Sequence, residues 1–240
     1  MFRKGPHLSI AHERLIPRVL GLTARDLSGW PQDVLELTRD LAAEMFLVRY
    51  NPFIDPAMVK KSVRAAFEEA RPTLSGRYAQ LLDERMAAYW RAFDADQAFK
   101  AAVVSRLRAV LPPEAIVEQP NSLIETSTDA TDLRMEMPML VLSPVSTAQV
   151  QGIVRLAGEM GFAIVPRGGG TGLTGGAIPG STRTVMLSLS KMKRIIDIDV
   201  DERILRVEAG VLTKNAIKAA DELGLLFTVD PASKDGSSIG

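Results

Sequence analysis

The fold of this chain is decided by one glycine-rich stretch, Pro166-Arg-Gly-Gly-Gly-Thr-Gly-Leu-Thr-Gly-Gly176. Six of its eleven residues are glycine, and it directly follows Phe162-Ala-Ile-Val-Pro166, an apolar run typical of a β-strand. Because glycine has no Cβ atom, the backbone there can adopt positive φ angles and approach a ligand closely. Successive amide groups can then converge on an anion. The stretch therefore predicts a phosphate-binding loop rather than a flexible turn.

Two other phosphate-binding motifs do not fit this context. Gly170-Thr-Gly-Leu-Thr-Gly175 satisfies the letters of the dinucleotide fingerprint, and Asp197 follows at about the distance expected for a ribose-binding acid. A Rossmann site, however, needs a helix that begins at the loop. This loop continues into Ala177-Ile-Pro-Gly-Ser-Thr182, which cannot begin a stable helix, and no Gly-Lys-Ser/Thr follows as a P-loop requires. The remaining interpretation is a phosphate site formed by converging backbone amides, without a helix at the loop.

Before the loop, the apolar pattern predicts a strand–helix–strand unit. Pro138-Met-Leu-Val-Leu142 has the length of a strand, and Ser146-Thr-Ala-Gln149 is a capping box for the helix that follows. Gly161 is a natural end for that helix. Such a unit favours an α/β layer. The buried stripe of the helix is expected at Val150, Ile153, Val154 and Ala157.

After the loop, the sequence predicts further short strands and one helix. The strand-like runs cover Thr184–Leu189, Arg194–Asp199 and Arg203–Glu208, and Leu225–Val229 has the composition of a last strand. Thr213 is expected to cap the helix, with Gly224 at its end. The inward residues of that helix are expected to be Ile217, Ala220 and Leu223.

The first ~110 residues predict a helical module instead. One helix begins after Pro31 and ends at Asn51-Pro52, since the residue before proline avoids the helical region. A second begins after Asp55 with Pro56 at its first position and ends at Arg71-Pro72. Further helices are expected over Tyr78–Phe93 and Asp96–Leu111. The apolar face of the first helix is Val34, Leu37, Leu41, Met45 and Val48, and the aromatic core residues of the third are Tyr89, Trp90 and Phe93.

Composition narrows the classes of function. The chain has 29 lysines and arginines against 29 aspartates and glutamates, so charge gives no reason to expect nucleic acid or an anionic membrane as a partner. It has no cysteine, which excludes disulfides, thiolate metal sites and a cysteine nucleophile here. We expect no signal peptide, because His12, Glu13 and Arg14 interrupt the apolar residues near Met1. No apolar run reaches the roughly 18 residues that a membrane span needs. We therefore expect a cytoplasmic, soluble protein.

Taken together, several motifs resemble a known family. The glycine loop is followed by Asp230-Pro-Ala-Ser-Lys-Asp-Gly-Ser-Ser-Ile-Gly240, and Thr128-Asp-Ala-Thr-Asp132, Val141-Leu-Ser-Pro144 and Glu208-Ala-Gly-Val211 accompany the two. The combination is similar to the p-cresol methylhydroxylase-type FAD-binding domain. Within that superfamily it most resembles FAD-linked D-lactate dehydrogenases and glycolate oxidase flavoprotein subunits. The resemblance implies a fold in which two α+β subdomains clasp FAD.

The resemblance also implies which residues hold the flavin. The amides of residues 168–172 would bind the pyrophosphate, and Pro231–Gly240 would line the pyrophosphate and flavin side of the cavity. Arg167 either neutralises a phosphate or is a structural arginine, and valine at Gly169 is expected to strip the flavin. Some relatives bond FAD covalently through a histidine where Thr171 stands, so threonine implies non-covalent FAD. The expected cofactor-binding residues are Arg167, Gly168, Gly169, Gly170, Thr171, Gly172, Gly175, Gly176, Pro231, Ser237, Ser238, Ile239 and Gly240.

The expected fold class is α+β, with a helical region followed by the first α/β subdomain of the flavin domain. We expect a helical module over residues 1–113, a connecting segment over 114–136 and the truncated flavin domain over 137–240. In the family the last motif continues as Ser-Ile-Gly-Gly-Asn, whereas this sequence stops at Gly240, which suggests a fragment. No catalytic residue is expected within it, because the substrate-binding groups would lie in a missing C-terminal part.

Two classes of function remain open at this point. The first is part of an FAD-dependent oxidoreductase that takes a hydride from a 2-hydroxy acid such as D-lactate or glycolate and passes electrons to an unidentified acceptor. The second is an inactive module whose helical half docks a partner. No metal site is expected: His7 and His12 lack accompanying carboxylates, and Asp197, Asp199 and Asp201 lack the spacing of a calcium loop.

Overall fold

The structure, a computed structural model, describes residues 15–130 and 136–240. The chain forms two compact units, Met1–Gln97 and Ala98–Gly240. The unit boundary lies within one long helix, whereas the sequence places the end of the helical module at residue 113. The division into segments 1–113, 114–136 and 137–240 stays a prediction.

The first unit is helical, as expected. After a helical segment at residues 15–20 come α1 (Gln32–Tyr50) and α2 (Pro56–Ala70), followed by a short 3-10 turn (Arg71–Thr73). The side chain of Asp55 caps α2 by accepting a hydrogen bond from the amide of Ala57 at 2.9 Å. The fully buried side chains of this unit's core include Leu22, Met45, Val63, Phe67 and Leu82.

The two helices expected over Tyr78–Phe93 and Asp96–Leu111 are a single helix, α3 (Gly76–Leu107). The prediction of a break was wrong because Asp94-Ala-Asp96 contains neither proline nor glycine, and nothing else there interrupts the backbone hydrogen bonds. Tyr89 and Trp90 are buried in the first unit's core, as predicted, and Phe93 packs against it.

The second unit begins with the end of α3, whose Val103 and Leu107 are fully buried in this unit's core. A 3-10 turn (Pro113–Ala115), β1 (Ile116–Val117) and α4 (Pro120–Thr126) follow. Then come β2 (Leu140–Leu142), α5 (Thr147–Met160), β3 (Ala163–Arg167), β4 (Thr184–Ser188), β5 (Ile195–Asp199), β6 (Ile204–Val207) and α6 (Thr213–Asp221).

The main sheet has the strand order β1-β2-β4-β3. Strands β2, β4 and β3 are parallel, and β1 joins β2 antiparallel. β4 therefore lies between the two strands that α5 connects, and the glycine loop leaves the carboxyl end of edge strand β3. In parallel sheets ligands bind at the carboxyl ends of the strands. β5 and β6 form a separate antiparallel pair.

The signals around α5 are confirmed with one exception. Ser146 Oγ accepts from the Gln149 amide, Gln149 Oε1 accepts from the Val145 amide, and Gly161 ends the helix with a φ of +77°. The buried residues, however, are Ile153, Leu156 and Ala157, while Val154 is exposed. Val154 is one position beyond Ile153, a rotation of about 100° on a helix, so it points away from the core.

Three predictions near the C-terminus are wrong in whole or in part. Thr213 is the first residue of α6 rather than its cap, because its hydroxyl bonds the Ser237 side chain instead of a helix amide. Of the expected inward residues, Ala220 is buried, Ile217 is half-buried and Leu223 is exposed. The run from Leu225 to Val229 is not a strand in the structure. Leu226 is 83% exposed, and the segment pairs with no strand. A strand-like composition was therefore not sufficient to form a strand here.

Gly210, after β6, is required by close backbone packing. A Cβ atom there would lie 2.8 Å from the Met192 carbonyl oxygen and would overlap that of Leu189. The Gly210 amide donates to the same Met192 oxygen at 2.8 Å. The segment after β6 is thus fixed against the turn after β4 with no room for a side chain.

We predict that Gly210→Ala lowers the free energy of unfolding by about 1–3 kcal/mol, the usual cost of overpacking. Urea denaturation measures the change. Gly180→Ala is the matched control, because a Cβ atom there meets nothing within 4 Å. Equal stability of the two variants would contradict this packing.

Candidate functional site: a glycine cradle after strand β3

The glycine loop leaves its backbone amides available. Within residues 15–130 and 136–240, no amide from Gly168 to Gly180 donates a hydrogen bond to a protein acceptor. Gly170 and Gly175 have φ angles of +67° and +74°, which turn the chain back on itself. Buried backbone donors are nearly always paired, so a run of unpaired amides is stable only where water or a ligand accepts from it.

The C-terminal motif is an ordered turn beside this loop. Its amides at Lys234, Gly236 and Ser237 bond carbonyl oxygens within the motif. The turn is also fixed from outside, because the Ile239 and Gly240 amides donate to the carbonyl oxygens of Val211 and Ala209 at 2.9 and 2.8 Å. The segment Glu208-Ala-Gly-Val211 therefore supports the motif directly, a role that the sequence did not reveal.

The two motifs touch through backbone and one hydroxyl. A Cβ atom on Gly169 would overlap the Gly236 carbonyl oxygen, and one on Gly168 would overlap Ser238 Oγ and lie 2.9 Å from the Gly240 carbonyl oxygen. On the other side, a Cβ atom on Gly236 would lie 3.7 Å from Thr171 Cγ2. The structure thus brings the two expected groups of site residues together in one cradle.

This contact changes what a substitution at Gly169 would test. Valine there would displace the Gly236 backbone before any ligand could be affected, so loss of flavin would not identify a phosphate contact. At Gly172 and Gly176, by contrast, a Cβ atom meets nothing within 4 Å. Gly172 is therefore the position at which an added side chain reports on the ligand.

The side chain of Arg167, the last residue of β3, donates its hydrogen bonds to backbone carbonyl oxygens. Its Nη1 donates to the Ala177 carbonyl oxygen at 2.9 Å and its Nη2 to the Glu125 carbonyl oxygen at 3.3 Å. Burial lowers the pKa of Arg167, and the nearby Asp129 and Glu125 act in the opposite direction. Of the two roles left open by the sequence, these contacts favour the structural one.

Nearby charges on the C-terminal motif are paired. Lys234 forms an ion pair with Asp230 at 2.8 Å, and Lys214 pairs with Asp235 at 3.3 Å. The hydrogen bond to Asp230 raises the pKa of Lys234. An anion in the cradle would therefore be bound mainly by backbone amides, each worth about 1.5–3 kcal/mol toward a charged oxygen.

Other candidate residues do not form sites in the part of the chain that the structure describes. No group of three or more histidines, cysteines or carboxylates comes together there, and His7 and His12 lie outside it. Asp197 pairs with Arg206, and Asp199 accepts from the Glu202 amide. Thr131 and Asp132, from the supporting motif before β2, also lie outside the described residues.

Residues 138–240 match the family described as FAD binding domain. This match covers both motifs and all the strands from β2 to β6. The C-terminal part of this chain is thus similar to the FAD binding domain family. FAD is accordingly the cofactor that this fold binds, and the amide-lined cradle suits its diphosphate.

Relatives and solved structures agree with that match. The chain is 34% identical to the D-2-hydroxyglutarate dehydrogenase of Xanthomonas citri pv. viticola over 56% of its own length and 28% of that protein. It is 34% identical to the glycolate oxidase subunit GlcD of Bacillus subtilis over 58% of its length and 29% of that subunit. The chain thus spans somewhat more than a quarter of these relatives.

The solved structure of 4-ethylphenol oxidase from Gulosibacter chungangensis has the same fold over this region. It aligns with a TM-score of 0.52 and 30% identity, covering 59% of this chain and 28% of the oxidase. The α+β fold expected from the sequence is thereby confirmed. No helix among the described residues is long and apolar enough to cross a membrane, and the cytoplasmic location stays a prediction.

Glu208 stabilises the support beneath the C-terminal motif. Its carboxylate accepts from the Arg194 amide at 2.8 Å and from Arg194 Nε at 2.9 Å, although Arg194 itself is exposed. These hydrogen bonds hold the pKa of Glu208 below its ordinary value. A carboxyl group with a lowered pKa in the folded state stabilises the fold above its unfolded pKa and loses that effect as the pH falls.

We predict that Glu208→Gln lowers the free energy of unfolding at neutral pH and that its difference from the parent shrinks as Glu208 becomes protonated in acid. Urea denaturation at a series of pH values measures this difference. Glu202→Gln, at an exposed position in the β5–β6 turn, is the control. A difference that stays constant from neutral to acid pH would contradict the assignment.

Proposed function

We propose that the cradle binds the diphosphate of FAD and that this chain is the diphosphate-binding part of a flavin-dependent oxidoreductase acting on 2-hydroxy acids. The observation that carries the proposal is the run of unpaired amides from residue 168 onward, packed against Gly236 and Ser238. Backbone donors fixed in this way bind an anion without reorganisation, which is the general advantage of a preorganised site.

Every site residue expected from the sequence, apart from Arg167, has a place in this proposal. The amides of Gly168, Gly169, Gly170, Thr171 and Gly172 face the diphosphate, and Gly175 and Gly176 let the loop return toward β4. Pro231, Ser237, Ser238, Ile239 and Gly240 form the opposite wall. Thr171 offers a hydroxyl where a covalent link would need a histidine, so the flavin is held non-covalently.

The proposed reaction follows from the relatives. One is named D-2-hydroxyglutarate dehydrogenase, another a glycolate oxidase subunit and a third, from Anaerostipes hadrus, D-lactate dehydrogenase. All three names refer to 2-hydroxy acids or their oxidation. Bound FAD would supply the acceptor for the hydride from the carbon that bears the hydroxyl, and residues 168–172 would hold its diphosphate in position.

We predict that Gly172→Val abolishes binding of inorganic pyrophosphate to this chain while leaving the free energy of unfolding within about 0.5 kcal/mol of the parent. A Cβ atom at Gly172 meets no protein atom within 4 Å, and the valine side chain would enter the space proposed for the ligand. Titration followed by ¹H–¹⁵N spectra measures both the affinity and which amides shift.

The control for that titration is Gly180→Val, another open position that lies outside the cradle. It should bind pyrophosphate as the parent does, with the shifts confined to residues 168–176. Undiminished binding by Gly172→Val, or parent shifts elsewhere in the chain, would overturn the diphosphate assignment.

We further predict that the protein isolated from its native source through a tag at Met1 carries flavin that acid precipitation releases intact. Anaerobic addition of D-lactate, glycolate or D-2-hydroxyglutarate should bleach its visible absorption, whereas the L enantiomers of the chiral acids should not. A colourless preparation, or a flavin that none of these acids reduces, would count against the proposed function.

A further inference from the structure

Arg167 connects the two ends of the glycine loop. Its backbone ends β3 immediately before Gly168, and its Nη1 donates to the carbonyl oxygen of Ala177, immediately after Gly176. The side chain thus closes residues 168–176 into a ring. Its Nη2 bonds the Glu125 carbonyl oxygen on α4, which fixes the guanidinium from a second direction.

The same guanidinium supports the middle of the loop. A Cβ atom on Gly170 would overlap Arg167 Nη2 and lie 2.6 Å from Cζ. Gly170 also has a φ of +67°, which disfavours any side chain. Glycine is therefore needed at position 170 for two reasons: the turn requires a positive φ angle, and the backbone packs directly against the guanidinium of Arg167.

The charge of Arg167 is already offset by protein groups. Asp129 and Glu125 act on the guanidinium and favour its charged form, and two backbone carbonyl oxygens accept its hydrogen bonds. A diphosphate placed on the guanidinium would displace these partners and meet the same carboxylates. The loop amides, in contrast, have no such competing partners among the described residues.

We propose that Arg167 is a positioning residue, which sets the curvature of the glycine loop through Ala177 and Gly170 and so aligns the loop amides without itself contacting the anion. This inference rests on the proposed diphosphate site. It assigns the arginine of the loop a mechanical role, although its charge and place in the sequence suggest a phosphate ligand.

The first test compares Arg167→Met with the parent chain, using inorganic pyrophosphate as the probe. The variant keeps the apolar stem but loses the donors, so we expect the Kd to rise about tenfold, the effect of losing one ordered hydrogen-bonding group. Amide hydrogen exchange should accelerate over residues 168–176. Arg155→Met, which removes an exposed arginine on α5, is the matched control and should change neither quantity.

Salt dependence separates positioning from direct contact. Because salt screens charge interactions, a guanidinium on the anion would make the parent's Kd more salt-dependent than that of Arg167→Met. Positioning predicts the same salt dependence in both proteins. A weaker salt dependence in the variant, or an unchanged Kd, would overturn the proposal.

A second test needs no ligand and so separates this inference from the proposed function. Gly170→Ala should destabilise the parent more than it destabilises Arg167→Ala, because removing the guanidinium relieves the overlap and leaves only the φ penalty. Strict additivity of the two substitutions in urea denaturation would refute the contact. If the parent failed to bind pyrophosphate while the two substitutions remained coupled, the proposed diphosphate site would be wrong. The contact of Arg167 with Gly170 would still be supported.

Discussion

The site depends on a contact between two backbones. Gly168 and Gly169 lie against Gly236, Ser238 and Gly240 so closely that a methyl group on either of the first two would overlap the facing segment. Interiors packed in this way tolerate very little added volume. The contact fixes the glycine loop in place while using none of its amide donors, which leaves those donors for an anion.

Elements that carry no site residue maintain this contact. Leu189 after β4 donates to the Arg167 carbonyl oxygen, and Gly210 packs on the turn that follows Leu189. Ala209 and Val211 then accept from the amides of the C-terminal motif. The cradle is therefore held from both sides by one continuous set of backbone hydrogen bonds. Damage to that set should affect ligand binding without any change in the loop sequence.

The pair β5–β6 shows why Glu208 matters. A two-stranded sheet is only marginally stable by itself, and Ile195, Ile196 and Ile204 in this pair are exposed. At its base, the carboxylate of Glu208 bonds both the backbone and the side chain of Arg194, which directly precedes β5. The ion pair thus holds the end of the hairpin beside the segment that supports the C-terminal motif.

The sequence by itself determined the local features, which are the capped helices, the strand–helix–strand unit and the glycine loop. Because most residues of that loop have no side chain, its backbone is accessible. It misjudged the run at Leu225–Val229 and the role of Thr213, because strand formation and the partner of the Thr213 hydroxyl depend on segments that lie far away in the chain. The break expected in α3 was wrong for a local reason, since no proline or glycine lies there. Only the tertiary structure decided that the loop meets the C-terminal motif and that Arg167 bonds carbonyl oxygens. Both facts depend on how parallel strands place distant segments side by side, and no local pattern of residues encodes those distances.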